Sequence, residues 1–442
     1  MSDTITLVVP NIAEFNIRHP RLALDPATEN NFIVYGEAMA EQSAFWTMDP
    51  RILLMPSGID RSWFTDVHRA LEDSLPPVLS PARGTGRITE DLLADVGAMA
   101  QLRDHLRDHQ RVQLASWGAT EDLYRLITAI RGFGHEVLLD VPEAENYWSS
   151  LYFDSKQSCV DLALEVPGLR VASTISADTW PELRGALELF RTQRKKAIVR
   201  SRYGASGEGT SVVEPSPAGL EMFWRSLRDD PLLRLFPLLV QEYLPHHEEH
   251  ANPAVDMLLT DEGVADLVLS VMTVDSHRFV SVNIGAGLIS QAVAEEIDDL
   301  SRRIAAIAIR MGFRGWFGID FLLDDRGLLH VTEFNARRTG GTQWIPLLDR
   351  WNTDRQAVAH AAHALPVPAA GSAELSYSDL RPAFQELQDE GVTVFPTAIR
   401  LLNHYKPSYG IVTGGVNAAG AEHNAAITQE RIAAHLAKAA IR

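Results

Sequence analysis

Over the first 150 residues, short apolar runs alternate with stretches of helical period. Ile5–Val9, Phe32–Tyr35, Arg51–Met55, Val112–Ala115 and Glu136–Leu139 read as strands. Thr89–Gln110 and Thr120–Ile130 read as amphipathic helices, each opened by its threonine as cap. Strands alternating with helices predict a mainly parallel α/β layer. Ser80-Pro81-Ala82-Arg83-Gly84-Thr85-Gly86 precedes a helix as a phosphate loop would, but its spacing fits no fingerprint and it reads as a structural turn. Further on, Ile198–Arg200 and Ser211–Val213 form the arms of a hairpin around a glycine-rich tip, and Leu238–Pro245 is a buried strand ended by proline. Two more apolar strands carry Gly315–Asp320 and Val331–Arg337, joined by the turn Leu323–Leu328. Leu365–Glu374 reads as a linker, followed by a strand at Thr393–Leu402, a turn at Gly414-Gly415 and a closing helix after Thr428. These shifts divide the chain into 1–150, 151–365 and 366–442.

Composition narrows the partners more than the fold. Of 442 residues, 46% are hydrophobic and 22% charged, an ordinary globular balance. A formal net charge of −18 repels polyanions, so neither nucleic acid nor a membrane surface is an expected partner. Cys159 is the only cysteine, which rules out an intrachain disulfide and makes a reducing cytoplasm the expected location. It lies in an amphipathic segment without a nearby histidine and reads as a packed thiol. Met1–Pro10 lacks a basic segment and reads as a first buried strand rather than a signal peptide. No apolar run approaches the ~18–20 residues of a membrane span. A homodimer is the default assembly.

Three oxygen-bearing side chains change this picture. Pairing the two late strands across a two- or four-residue turn sets Asp320 opposite Val331 and puts Asp320, Glu333 and Asn335 on one face. Asp320 and Glu333 become diagonal neighbours, ~7–8 Å apart. An all-oxygen set suits Mg²⁺, which takes few protein ligands and fills its shell with phosphate oxygens and water. The bland alternative is ion pairing with Arg314, Arg337 or Arg338, because two carboxylates and an amide buried without a cation would be costly.

Arg194–Val213 is the densest basic stretch of an acidic chain. Gly204, Gly207 and Gly209, with Ser206 among them, let backbone N–H groups turn towards phosphate oxygens. Arg200 can hold an α- or β-phosphate by charge-assisted bonds. The loop is not a P-loop. Past it, the strand edge freed by Pro245 leaves Gln241, Glu242 and the Leu244 backbone available to adenine, with Glu248 or Asp256 able to accept from ribose hydroxyls. His246-His247-Glu248-Glu249-His250 has neither a helical setting nor a cysteine partner and reads as a solvated loop, not a zinc site.

Taken in order, Lys156, the glycine-rich hairpin, the Gln-Glu-Tyr-Leu strand and Asp320…Glu333-x-Asn335 resemble the ATP-grasp superfamily over about residues 150–350. Phe153-Asp154-Ser155-Lys156 is similar to that family's first motif, whose lysine contacts ATP phosphates. Arg200 stands where the family usually has a second phosphate-binding lysine, which keeps the charge but replaces a point charge with a fork. Glu333-Phe334-Asn335-Ala336-Arg337 resembles the E-x-N-x-R form, in which the arginine, here Arg337, stabilises the reacting acyl phosphate. The overall layout resembles the pheganomycin-type peptide ligases. That resemblance implies an α/β and α+β architecture: a Rossmann-like pre-ATP-grasp domain, a two-lobed ATP-grasp domain (lid lobe about 155–245, metal lobe about 246–365) and a small C-terminal domain. Asn335–Thr342 is similar to the substrate-side loop of that group, which casts Arg338, Gly340, Gly341 and Thr342 as substrate-binding.

The activity so implied joins a small-molecule carboxylate to an amine, an amino acid or short peptide, with ATP and Mg²⁺, through an acyl phosphate. Arg337, with backbone N–H groups at Gly340 and Gly341, is expected to steady the oxyanion, and the glycine tip to cover the site. No side chain stands out as general base. Two other readings remain open from sequence: a non-catalytic ATP-binding regulatory protein, and an enzyme passing the acyl group to a thiol or hydroxyl.

Overall fold

The computed structural model describes residues 3–18, 26–48, 50–202, 209–228, 230–246, 252–275, 278–351, 357–367, 375–404 and 406–440. The first layer is a five-stranded parallel sheet of β1 (Thr4–Val9), β2 (Arg51–Leu54), β3 (Val78–Leu79), β4 (Arg111–Ser116) and β5 (Glu136–Leu138), in the order β3-β2-β1-β4-β5. Leu7, Val9, Ile52 and Leu114 pack against Leu102, Leu123 and Ile127 of the covering helices.

Phe32–Tyr35, expected as a strand, lies inside the helix Pro26–Met39. A four-residue apolar run does not distinguish a strand from a helical turn, and the helix is packed so closely on its neighbour that a Cβ at Gly36 would sit 2.6 Å from the Ala13 backbone. The expected helix Thr89–Gln110 is two helices, Ile88–Ala94 and Val96–Leu106. They break at Asp95, which is extended (φ −96°, ψ 99°) and caps the second by accepting from the Ala98 N–H. Thr89 is not a cap, since its backbone N–H donates to Glu14 at 3.1 Å. Thr120 does cap, accepting from the Leu123 N–H at 3.1 Å. The Ser80–Gly86 segment is a turn whose Ala82 and Thr85 amides donate to Asp95 (3.0 Å) and Asp91 (2.8 Å).

A smaller antiparallel sheet contains β6 (Thr174–Ala177), β7 (Ala197–Ser201), β8 (Thr210–Val213) and β9 (Leu238–Glu242), in the order β6-β9-β7-β8. Leu183 and Leu187 of the helix Trp180–Thr192, and Phe223 of the helix Pro217–Ser226, back it.

The third sheet has eight strands: β10 (Pro253–Thr260), β11 (Gly263–Asp275), β12 (Arg278–Gly285), β13 (Gly315–Leu323), β14 (Leu329–Asn335), β15 (Val358–Pro366), β16 (Val394–Thr397) and β17 (Ser408–Gly415). Their order is β14-β13-β10-β11-β12-β15-β17-β16, all antiparallel. Ile297, Leu300 and Ile304 of the helix Gln291–Arg310 press onto Val255, Phe317 and Ile319 on one side. The C-terminal strands continue this sheet, so several sequence expectations change here. Leu365 and Pro366 finish β15 instead of starting a linker, and 368–374 lie outside the described residues. Strand Thr393–Leu402 is strand only over Val394–Thr397, because Ala398 turns left-handed (φ 49°) into the short helix Ile399–Asn403. Gly414-Gly415 ends β17 rather than forming a turn. The last helix starts at Ala418, not after Thr428; its alanine-rich first turns carry no strong apolar stripe to announce it. Among the described residues, no helix is long and apolar enough to cross a membrane.

Candidate active site

The large sheet, the small sheet and the first layer together enclose a cavity of about 640 Å³. The metal-type side chains reach it through an irregularity that the strand pattern alone did not reveal. Near the turn the register pairs Phe321 with Val331, but beyond it Asp320 pairs with Glu333 and Gly318 with Asn335. Thr332 is therefore an extra residue, a β-bulge. Asp320 is not opposite Val331 and not diagonal to Glu333, as expected; it lies directly across from Glu333. The shared face of Asp320, Glu333 and Asn335 is nonetheless there, and the Asn335 amide donates to Asp320 at 3.1 Å.

The bulge also serves the cations. Arg200, from β7, donates to the Thr332 carbonyl at 2.9 Å and to Glu333 at 2.9 Å, while Lys156 meets the other Glu333 oxygen at 3.2 Å. The arginine pairing weighed from sequence is thus present, but through Arg200 rather than Arg314, Arg337 or Arg338. Burial, then the neighbouring Glu333 charge, raises the Asp320 carboxyl above its usual range. Burial presses the Lys156 ammonium below its ordinary value, and Glu333 opposes it. Arg200, Asp320, Glu333 and Asn335 line the cavity. Among the described residues, no group of three or more His, Cys, Asp or Glu side chains is arranged to hold a metal ion; the set here is two carboxylates and an amide.

The strand end Gln241, Glu242, Tyr243 and Leu244 lines the same cavity. The Gln241 amide donates to Thr174 at 2.9 Å, and Glu242 pairs with Lys195 at 2.9 Å. Asp256 lines the same cavity as that strand end. It sits on β10 opposite Gly318, beside the Asp320 face, and its two oxygens accept from Thr339 Oγ1 at 2.9 and 3.0 Å. Burial pushes its carboxyl up to about 7, with the Thr339 bond working against it. Gly204, Ser206, Gly207 and Glu248 lie outside the described residues. Gly209 closes the hairpin at φ +67°, where a Cβ would come 2.7 Å from Ser201 Cβ.

Arg337 lines the cavity, its guanidinium 5.4 Å from the Trp117 ring and 3.7 Å from Asp154. Arg338 points the other way. It is buried, donating to the Ser116 carbonyl at 2.9 Å and pairing with Asp140 at 3.3 Å, and so ties this loop to the first layer. Gly340 and Gly341 line the cavity; Thr342 does not. The Gly341 N–H already donates to Thr339 Oγ1 at 3.0 Å. A Cβ at Gly341 would sit 2.8 Å from an Asp256 carboxylate oxygen, so a larger residue there has to displace that carboxylate. Cys159 is buried, and burial pushes its thiol far up. Thr339, Trp117, Gln42, Gln343 and His363 also line the cavity or brace it and were missed, because nothing in their local spacing distinguishes them.

Residues 175–341 match the family described as the ATP-grasp domain. A [butirosin acyl-carrier protein]–L-glutamate ligase of Niallia circulans is 28% identical over 164 residues, which cover 36% of this chain and 37% of that protein's length. The fold is similar to that of an N5-carboxyaminoimidazole ribonucleotide synthetase in its ADP complex (TM-score 0.56, 12% identity, 98% of this chain and 97% of that one). It is also similar to a biotin carboxylase of Campylobacter jejuni (TM-score 0.56, 10% identity, 98% and 94%). Residues 175–341 of this chain form an ATP-grasp domain.

Proposed function

We propose that this chain is an ATP- and Mg²⁺-dependent carboxylate–amine ligase that forms a peptide or amide bond, releasing ADP and phosphate, in specialised peptide metabolism. The observation that carries the reading is convergence: the Gln241–Leu244 strand end, Arg200, the Asp320/Glu333/Asn335 face and Arg337 all line one cavity. Two like-charged carboxylates on one face, one with its proton affinity raised, are what a divalent cation relieves. Asp320, Glu333 and Asn335 would hold Mg²⁺, which when bound neutralises charge on phosphate oxygens.

Each of the chain's own residues then has a task. Arg200 and Lys156, now spent on Glu333, supply donors for phosphate oxygens. The carboxylate substrate attacks the γ-phosphorus, forming the acyl–oxygen–phosphorus bond as ADP leaves. The amine then attacks the carbonyl and phosphate departs. Arg337, braced by Trp117 and Asp154, steadies the oxyanion. The surrounding walls keep water from the acyl phosphate. The proposed domain limits are about 150 and 365, the second falling within the large sheet, where β17 pairs with β15. The test is hydroxylamine with ATP, Mg²⁺ and a panel of candidate acids. Hydroxamate with ADP supports the reading; AMP release, or no nucleotide turnover with any acid, overturns it.

A further inference from the structure

Glu333, one of the two acids that face each other on the metal-type strands, already holds two cations. Lys156 Nζ lies 3.2 Å from one of its oxygens and an Arg200 guanidinium nitrogen 2.9 Å from the other. The three side chains are between 5% and 16% exposed, so solvent and salt screen them weakly. They come from elements far apart in the chain: Arg200 from β7 of the small sheet, Glu333 from β14 of the large sheet, and Lys156 from just before the helix Gln157–Ala163. The Lys156 N–H donates to the Arg202 carbonyl at 3.2 Å and Arg202 Nε to Ser155 Oγ at 2.9 Å, which ties that segment to the end of β7.

The two tasks of Glu333 exclude each other. With both acids ionised, the negative charges of Asp320 and Glu333 stand against the positive charges of Arg200 and Lys156, so this face as it stands is neutral towards a divalent cation. Phosphate oxygens that draw the two cations away leave both negative charges uncompensated. Arg200 can make that exchange without losing its place. One of its nitrogens donates to the Thr332 carbonyl at 2.9 Å and another to Glu333. The first bond is to backbone, so a guanidinium released by Glu333 stays anchored at the bulge. Its second nitrogen then faces an anion in the cavity, which Arg200 and Glu333 both line.

We propose that Glu333 gates this site: it holds Arg200 and Lys156 until the phosphates of a nucleotide take them over, and only then binds a divalent cation. Phosphate and metal binding therefore reinforce each other, each raising the other's affinity by the same factor. A divalent cation without phosphate is refused, because Glu333 would have to abandon two largely buried cations to reach it. The gate rests on the nucleotide reading above and adds the order in which the ligands enter.

The full-length protein is titrated calorimetrically with ATP in EDTA, with MgATP and with Mg²⁺ alone. Glu333→Gln keeps the shape of the side chain and the Thr332 anchor but drops the charge that holds Arg200 and Lys156. It is expected to bind metal-free ATP about tenfold tighter than the parent, and to lose about tenfold of the gain in affinity that Mg²⁺ brings the parent. In an Arg200→Gln background the same substitution is expected to tighten metal-free binding by less than about threefold, because the donor it would release is gone. Equal or weaker metal-free binding by Glu333→Gln, or the full tightening in the Arg200→Gln background, overturns the gate. Saturable binding of Mg²⁺ alone to the parent also overturns it, and that measurement does not depend on how the variants fold. No binding of MgATP by the parent defeats the nucleotide reading and the gate together; MgATP binding without the tightening in Glu333→Gln defeats the gate alone.

Discussion

Glu41 offers a quantitative test of how the end of the chain is fastened to its beginning. The residue is 4% exposed, in the segment Ala40–Phe45, and its carboxylate accepts from the Arg400 N–H at 3.2 Å. It thereby caps the short helix Ile399–Asn403, whose own preceding residue, Ala398, has no side-chain acceptor. Burial raises the Glu41 carboxyl from 4.5 to about 7, only partly offset by the N–H bonds and charge of Arg400. The folded protein therefore keeps a proton that the unfolded chain releases near pH 4.5. The stability this proton contributes is complete below that pH and is lost as pH rises through 7. That gap, at 1.36 kcal/mol per unit, amounts to ~3 kcal/mol. Glu41→Gln mimics the protonated form and retains an oxygen for the Arg400 N–H. In urea unfolding followed by tryptophan fluorescence, the variant is expected to gain ~3 kcal/mol at pH 8.5 but less than ~1 kcal/mol at pH 5. Equal gains at the two pH values, or a loss at pH 8.5, would refute the electrostatic account of this junction.

Three further outcomes are expected. Glu333→Gln removes one of the two carboxylates from the metal-type face, so ADP release in the hydroxylamine assay should fall by ~100-fold or more with folding intact; full activity would leave only its ion-pairing role. Arg200→Lys cannot reach both the Thr332 carbonyl and Glu333 as a fork does, so the apparent KM for ATP should rise about tenfold, and an unchanged KM would remove Arg200 from phosphate binding. Thr339→Val leaves the Asp256 carboxyl without its hydroxyl partner, and the urea midpoint should correspond to a loss of ~1–3 kcal/mol; an unaltered midpoint would show that another group satisfies Asp256.

What could be read from sequence followed the physics of each signal. Two-residue alternation over Ile198–Arg200 and Ser211–Val213 and the capping threonine at 120 are local, and they correspond to β7, β8 and the helix Glu121–Gly132. Phe32–Tyr35 and the C-terminal segment failed because their state is decided by distant partners: Ala13 against Gly36 in one case, and β15 and β17 completing a sheet begun a hundred residues earlier in the other. The shared face of Asp320, Glu333 and Asn335 was legible because acidic residues on apolar strands are conspicuous. That Asp256 stands opposite Gly318, beside the Asp320 face, was not legible, since cross-sheet pairing has no local signature. The hydrogen bonds that link Trp46, Gln343, Gln42 and His363 were invisible, as these residues lie up to 321 positions apart.

The register around Thr332 shows how little separates a site from a defect. Continued from the turn without the bulge, the ladder would set Asp320 opposite Thr332 and Glu333 opposite Ile319. Because side chains alternate, Glu333 and Asn335 would then leave the cavity for the face where Phe317, Ile319 and Phe321 pack against the helix Gln291–Arg310. A lone carboxylate in that core would cost several kcal/mol, and Arg200 and Lys156 would lose their partner. One inserted residue avoids both losses and turns the Thr332 carbonyl towards Arg200 as well. The site thus depends on a strand irregularity as much as on the identity of its acids. Sequence reasoning reached the right face from a register that was itself off, because its error and the missing bulge cancelled in parity.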